Sequence, residues 1–310
     1  MRFSITEVDD GTSVRAFLAL RLSPSAKMLK YLKYREDGIL VNGTRVTVRY
    51  VLHTGDVLTL AVSDGDNAEK LEAVALDLPI LYEDDDLVIP NKPANMPTHP
   101  SRDHYRDTVA NALAYRYREM GVPFVFRPVN RLDRDTSGLL LIARNKLASG
   151  RLNAAMRRGL IRKTYLAILE GETLPDEGRI EKPLRRSAHS IIVREVCEPS
   201  DVGAEPSVTR YRVLARGSGC SLVVAYPLTG RTHQLRVHFA SLGHPIAGDD
   251  LYGIPSGRLP RQALHARSLT FPHPSTGQMM TLSAPIPADM AQLISEFFPD
   301  FSGEELPWKG

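Results

Sequence analysis

Two carboxylates, Asp133 and Asp135, stand in a loop crowded with charge, Arg127-Pro128-Val129-Asn130-Arg131-Leu132-Asp133-Arg134-Asp135-Thr136-Ser137-Gly138. The loop closes at Gly138 and runs into Leu139-Leu140-Leu141-Ile142-Ala143, an apolar run of strand length that suits a strand buried on both faces. Catalytic groups are often carried on loops at the edge of a rigid sheet. A pair of acids invites glycosidic-bond chemistry. That chemistry needs a fixed separation across a sugar ring, and alternate residues in a loop do not define one. By residue type, Asp133 reads either as a turn or ion-pair aspartate or as a single catalytic carboxylate.

Other reactive side chains fall in regular elements. Tyr165 belongs to the predicted strand Lys163–Glu170, with Ala167 and Leu169 on its side, a setting that also suits plain core packing. Arg236 lies in the predicted helix Thr232–Leu242, whose apolar stripe is Leu235, Phe239 and Leu242. That leaves Arg236 on an adjacent face with Thr232, where an arginine is ordinarily solvated. His233 and His238 are five residues apart and point to different helix faces, with no acid or cysteine completing a set, so no metal is expected. Gly217-Ser218-Gly219 precedes no helix and reads as a hairpin turn rather than a phosphate cradle.

The elements that must position these groups form two parts. Val14, Phe17, Leu18 and then Met28, Leu29, Leu32 recur at helical spacing within Thr12–Leu20 and Ala26–Tyr34. Ile39-Leu40-Val41 runs into the tight turn Asn42-Gly43, and Gly55-Asp56 precedes a last strand, Val57–Val62. Further on, the predicted strands are Leu87–Asn91, Leu139–Ala143, Lys163–Glu170, Val208–Ala215, Leu222–Tyr226 and Met279–Ala284. The predicted helices are Thr108–Met120, Lys146–Arg157, Thr232–Leu242 and Ala288–Phe298. No regular βαβ alternation is present, which predicts a helix-decorated, largely antiparallel sheet.

Composition excludes several classes. With 310 residues and 43% hydrophobic content the chain can bury one or two cores, and no apolar run reaches membrane-helix length. Glu7, Asp9 and Asp10 near the start, with no apolar stretch, predict no secretion signal. Cys197 and Cys220 suit neither a disulfide scaffold nor a paired zinc site, so a cytoplasmic location is expected. The net charge of +3 conceals an asymmetry. Arg21–Arg49 holds seven basic residues against two acids, whereas Ser63–Asp86 holds nine acids against Lys70 alone. A basic N-terminal module followed by an acidic linker is the expectation.

Together these residues resemble known families. The N-terminal order, with Leu40-Val41-Asn42-Gly43 and Gly55-Asp56-Val57-Leu58, resembles the S4-type RNA-binding domain. Arg131-Leu132-Asp133-x-x-Thr136-Ser137-Gly138-Leu139 resembles the active-site motif of RluA-type RNA pseudouridine synthases. The likeness continues through Asn91-Lys92-Pro93-Ala94 with His99-Pro100, Lys163-Thr164-Tyr165-Leu166-Ala167, and Thr229-Gly230-Arg231-Thr232-His233-Gln234-Leu235-Arg236-Val237-His238. Leu242–Asp249 and Leu264-His265-Ala266 extend it, so that it spans about residues 80–290. Two departures stand out: Asn130 where members commonly carry His, and Asn95 where many carry Gly. Asn130 cannot titrate, and Asn95 is among the few other residues that tolerate a left-handed backbone.

The resemblance implies an α+β protein. Residues 1–62 would form a small N-terminal α/β RNA-binding domain and 63–79 an acidic linker. Residues 80–300 would form a catalytic domain with the pseudouridine synthase fold, a largely antiparallel mixed sheet with flanking helices, and 301–310 a tail. It implies isomerisation of specific uridines in structured RNA, chiefly ribosomal RNA of the 23S type, by base flipping, without a cofactor. Asp133 would act at the sugar, Arg236 would pair with it, and Tyr165 would stack on the uracil or serve as a base. Arg131 would fill the gap left by the flipped nucleotide, and Lys92, Arg231 and His233 would contact RNA or order the site. No DNA or membrane partner is expected, and oligomeric state leaves no sequence signal. The alternatives are an RNA-binding or ribosome-assembly protein that does not need catalysis, a transfer-RNA-directed synthase, and a nucleoside hydrolase.

Overall fold

The computed structural model describes residues 2–22, 24, 26–61, 71–253, 257 and 259–301. The first part of the expected linker and nearly all of the expected tail lie outside the described residues.

The N-terminal unit follows from its apolar spacing. Strand β1 (Arg2–Ser4), helices α1 (Val14–Arg21) and α2 (Ala26–Tyr34), then β2 (Ile39–Val41), β3 (Thr44–Arg45) and β4 (Val57–Leu60) form it. The strands make an antiparallel sheet in the order β1-β4-β2-β3. Ser13 caps α1 by accepting a bond from the Ala16 N–H at 3.2 Å. Asn42 and Gly43 both take positive φ, 51° and 82°, as a two-residue hairpin turn requires. Phe17, Leu18, Leu32, Ile39 and Leu58 close the core.

The larger unit contains β5 (Ile80–Glu83), β6 (Leu87–Lys92), α3 (Val109–Glu119), β7 (Ser137–Leu139), β8 (Ile142–Ala143) and α4 (Lys146–Arg157). It continues with β9 (Arg162–Glu170), β10 (Glu177–Glu181), β11 (Leu184–Arg186), β12 (Arg194–Val196), β13 (Val208–Gly217) and β14 (Cys220–Pro227). Helix α5 (Gln234–Ala240), β15 (Leu264–Pro272), β16 (Met279–Ser283) and α6 (Ala288–Phe297) complete it. A ten-stranded sheet runs β10-β13-β14-β9-β15-β7-β6-β5, with β16 on β15 and β8 on β6. Among the described residues only β15 and β7 pair in parallel. Alternate residues serve opposite faces: Val88, Leu140 and Ile142 pack in one core with α3, α5 and α6. Leu87, Ile89, Leu139 and Leu141 pack in another with α4. The expected α+β, largely antiparallel architecture is present.

Three expectations need correction. The strand expected over Leu139–Ala143 is split into β7 and β8, because Pro90 of the facing β6 has no N–H to continue the ladder. The helix expected over Thr232–Leu242 is shorter, and Gln234 through Phe239 are all buried, so Arg236 lies on no solvated face. Residues 71–79 are not a free linker. Leu71, Leu76 and Leu78 pack on the core, and Asn111 of α3 donates to the Glu72 carbonyl at 2.8 Å.

The two units touch through α4. Leu147 is buried in the N-terminal core, the Lys146 ammonium lies 3.7 Å from the Tyr31 ring centroid, and Arg151 donates to the carbonyls of Leu22 and Pro274.

Gly138 is where the loop that carries Asp133 enters the sheet. Its φ is +111°, and a Cβ there would stand 2.3 Å from the Ala266 carbonyl oxygen of β15. Gly138→Ala should therefore cost at least about 3 kcal/mol. At Gly11, also left-handed but with open space around it, alanine should cost about 1–2 kcal/mol. Urea midpoints of the two variants against the parent check the difference.

Candidate active site

The loop that carries Asp133 is held by side chains that bond to its backbone. Thr98 Oγ1 donates to the Leu132 carbonyl at 2.9 Å and accepts from the Leu132 N–H. Asn130 Oδ1 accepts from the Leu141 N–H at 2.7 Å, and its amide reaches the Leu139 carbonyl, tying the loop to the strand that follows it. Arg261, paired with Asp289, donates to the Asp135 carbonyl, and Gln262 donates to Thr136 Oγ1. Asn95 takes φ 57°, the left-handed turn expected of it. Asn130 is thus a latch, a role that amide hydrogen bonding supports and titration does not.

Lys92 is the centre of this clamp. It is fully buried, and its ammonium donates to the carbonyls of Pro93, Met96 and Arg134 at 2.7 Å each. Burial pushes its pKa down to about 7, against the pull of Asp135 and Asp133. A side chain sealed in this way cannot reach an RNA phosphate. Of the two roles expected for Lys92, contact with RNA does not fit this burial, and ordering the site from beneath the loop does.

Above the loop lies a cleft of about 910 Å³. Asp133, Tyr165, Arg236, Arg131, Arg231 and His233 all line it, which leaves Lys92 as the one expected site residue outside. Arg236 is 4% exposed; its Nε and Nη2 reach the two Asp249 oxygens at 2.7 Å each, and Nη2 also reaches Asp250 at 3.2 Å. Nη1 stands 3.8 Å from Asp133 Oδ2. The pairing with Asp133 is therefore the looser contact, and the tight one is to Asp249, which sequence reading passed over. Burial opposes the arginine's charge, but Asp249 and Asp133 more than offset it, so its pKa rises.

Tyr165 is 7% exposed, and burial, reinforced by the Asp133 charge, pushes its phenol above the usual range. The ring stays neutral near pH 7 and offers a flat apolar face to the cleft. His233 takes a left-handed backbone, φ 56°, just before α5, and its Nδ1 lies 2.8 Å from the Tyr252 hydroxyl. Burial lowers its pKa. Arg231 is held back by Glu205 at 3.0 Å and the Pro206 carbonyl. Arg131 is exposed and has no hydrogen bond or ion pair among the described residues, which leaves its guanidinium free to move. Among the described residues six Lys or Arg side chains line the cleft against one carboxylate, Asp133, a balance suited to a polyanion.

Two singled-out residues lie elsewhere. Asp135 pairs with Arg134 at the surface, and His238 is buried between Thr209 Oγ1 and the Lys182 carbonyl. Among the described residues no three His, Cys, Asp or Glu side chains are grouped to hold a metal.

The family model described as RNA pseudouridylate synthase matches residues 86–241, which include every cleft residue discussed above. The chain is 38% identical over 273 residues to "Uncharacterized RNA pseudouridine synthase YjbO" of Bacillus subtilis (strain 168), covering 88% of this chain and 95% of that protein. The chain belongs to the RNA pseudouridylate synthase family. A second family relative is "Ribosomal large subunit pseudouridine synthase D" of Nitrosomonas europaea, 34% identical with 83% of this chain and 76% of that one covered. The solved structure "Human RNA Pseudouridylate Synthase Domain Containing 1" superposes with a TM-score of 0.56 at 31% identity, over 71% of this chain and 94% of that one. The large sheet described above is thus the pseudouridine synthase fold, and the chain is an enzyme of that family.

The Arg236–Asp249 pair gives a direct test of the site's framework. Asp249→Ala leaves a guanidinium buried without its main partner and should cost about 3–5 kcal/mol, read as a lowered urea midpoint. Asp250→Ala, whose carboxylate is 72% exposed, should cost under about 1 kcal/mol in the same measurement.

Proposed function

We propose that the chain isomerises uridine to pseudouridine in structured RNA, with ribosomal RNA of the large subunit as its substrate. The reading rests above all on one observation: among the described residues Asp133 is the sole carboxylate lining a cationic cleft, beside the buried Arg236 and in the same cleft as the Tyr165 ring. The ribosomal target is supported by relatives named as large-subunit synthases.

In this reaction the N1–C1′ bond of uridine breaks, the uracil turns, and a C5–C1′ bond forms. The C5 hydrogen leaves as a proton and N1 gains one, so no oxidant or cofactor enters the balance. Asp133, held in place by the clamp beneath it and steered by Arg236, acts on C1′ or a neighbouring ribose proton. Tyr165 stacks on the uracil after the nucleotide leaves its helix, and the unrestrained Arg131 takes the vacated place. Water must be kept out while the base is free, or hydrolysis would release uracil. Arg231 and His233 order the cleft wall next to the RNA. The N-terminal unit, with Lys30, Lys33 and Arg49 exposed, is read as an S4-type module that adds phosphate contacts, and the enzyme is placed in the cytoplasm, where ribosomes are assembled.

RNA tritiated at uracil C5, taken from a strain lacking this protein, tests the proposal. The purified protein should release tritium to water from the large-subunit RNA, and Asp133→Ala should reduce the rate by at least about 10²–10⁴-fold. Release confined to transfer RNA would move the substrate. No release from any RNA would leave a binding protein, and free uracil would indicate a hydrolase.

A further inference from the structure

Lys163 is a cleft residue to which neither the fold nor the proposed chemistry gives a task. It lies two residues before Tyr165 on the same side of β9, and both side chains line the cleft. Its ammonium has three N–H donors. Among the described residues it has one acceptor, the Thr229 carbonyl, at a long 3.4 Å. Lysines with structural duties in this protein look different. Lys92 satisfies three carbonyls at 2.7 Å each, and Lys182 holds both the carbonyl and the hydroxyl of Ser241 at 3.2 Å. Burial pushes Lys163 down to about 8.

The space beside this ammonium belongs to the cleft. Gly230 also lines the cleft, and a Cβ at that position would stand 3.4 Å from Lys163 Nζ. Arg157 and Arg162 line the same cleft and are exposed. A half-buried cation short of acceptors and facing open space is a place for an anion to bind. Two residues along a strand span about 7 Å, which matches the scale separating a nucleobase from the phosphate of its own nucleotide. We propose that Lys163, approached across the bare face of Gly230, is the subsite for an RNA phosphate flanking the flipped uridine. Anchoring that phosphate adds binding energy that seats the nucleotide in the cleft with its base against Tyr165. The inference rests on the uridine-isomerising reading, because Tyr165 marks where the base lies.

Binding of an unmodified large-subunit ribosomal RNA transcript across a potassium chloride series tests it. Each phosphate contact contributes about 0.7–0.9 to the slope of log Kd against log salt. Lys163→Met should lower the slope by that amount and raise KM about 5- to 10-fold with kcat nearly unchanged, and Lys163→Arg should restore both. Gly230→Val, which leaves the ammonium intact but blocks its approach, should reproduce the loss. An unchanged slope in Lys163→Met, or a fall in kcat at unchanged KM, overturns the subsite. The proposed function fails separately, through tritium release that persists in Asp133→Ala, and Asp133→Ala should itself keep the parent salt slope.

Discussion

Arg236 carries a full charge on a side chain that water barely reaches, and the site is arranged around balancing it. Two oxygens of Asp249, itself fully buried, take the Nε and Nη2 edge at 2.7 Å. The remaining Nη1 faces Asp133 at 3.8 Å. A guanidinium is a rigid fork, so fixing one edge fixes the direction of the other. The price of burying two ions is met only because the bidentate geometry is good. The consequence is that the Asp133 carboxylate has an oriented cation beside it, 3.8 Å from its Oδ2.

The other half of the arrangement works from below. Asp133 sits on a loop, and loops are ordinarily the mobile part of a fold. Here Lys92, Thr98, Asn130 and Arg261 bond to the backbone of the loop or of its neighbours, and Gly138 lets the chain pass against β15. Rigidity below and a fixed cation above leave Asp133 little freedom, the kind of fixed placement that positions a group against a single atom. Arg131, next but one in sequence, has no such ties among the described residues.

Much of this was legible in the sequence, for identifiable reasons. Helices α2 and α4 begin and end where their apolar spacing does, and Asn42-Gly43 forms the turn its residue types demand. The loop from Arg127 to Gly138 announced itself through charge followed by a buried strand. Burial of polar groups was harder to read. Periodicity put Arg236 on an outer face, because its balancing partner lies 13 residues away beyond the helix end. The burial of Lys92 left no trace in the sequence because its three partners are backbone carbonyls, which have no sequence signature. Strand β15 was missed because His265, Arg267 and Ser268 interrupt its apolar run, and the acids of 72–77 disguised a segment that packs through Leu71, Leu76 and Leu78.

The most direct test of Asp133 as the working group of a uridine-isomerising cleft is a map of pseudouridines in ribosomal and transfer RNA. The cells compared are those with the gene, without it, and without it but carrying Asp133→Ala. At least one large-subunit position should lose its pseudouridine with the gene, regain it with the parent protein, and stay unmodified with Asp133→Ala. Maps that do not change with the gene, or a position restored by Asp133→Ala, would contradict that assignment.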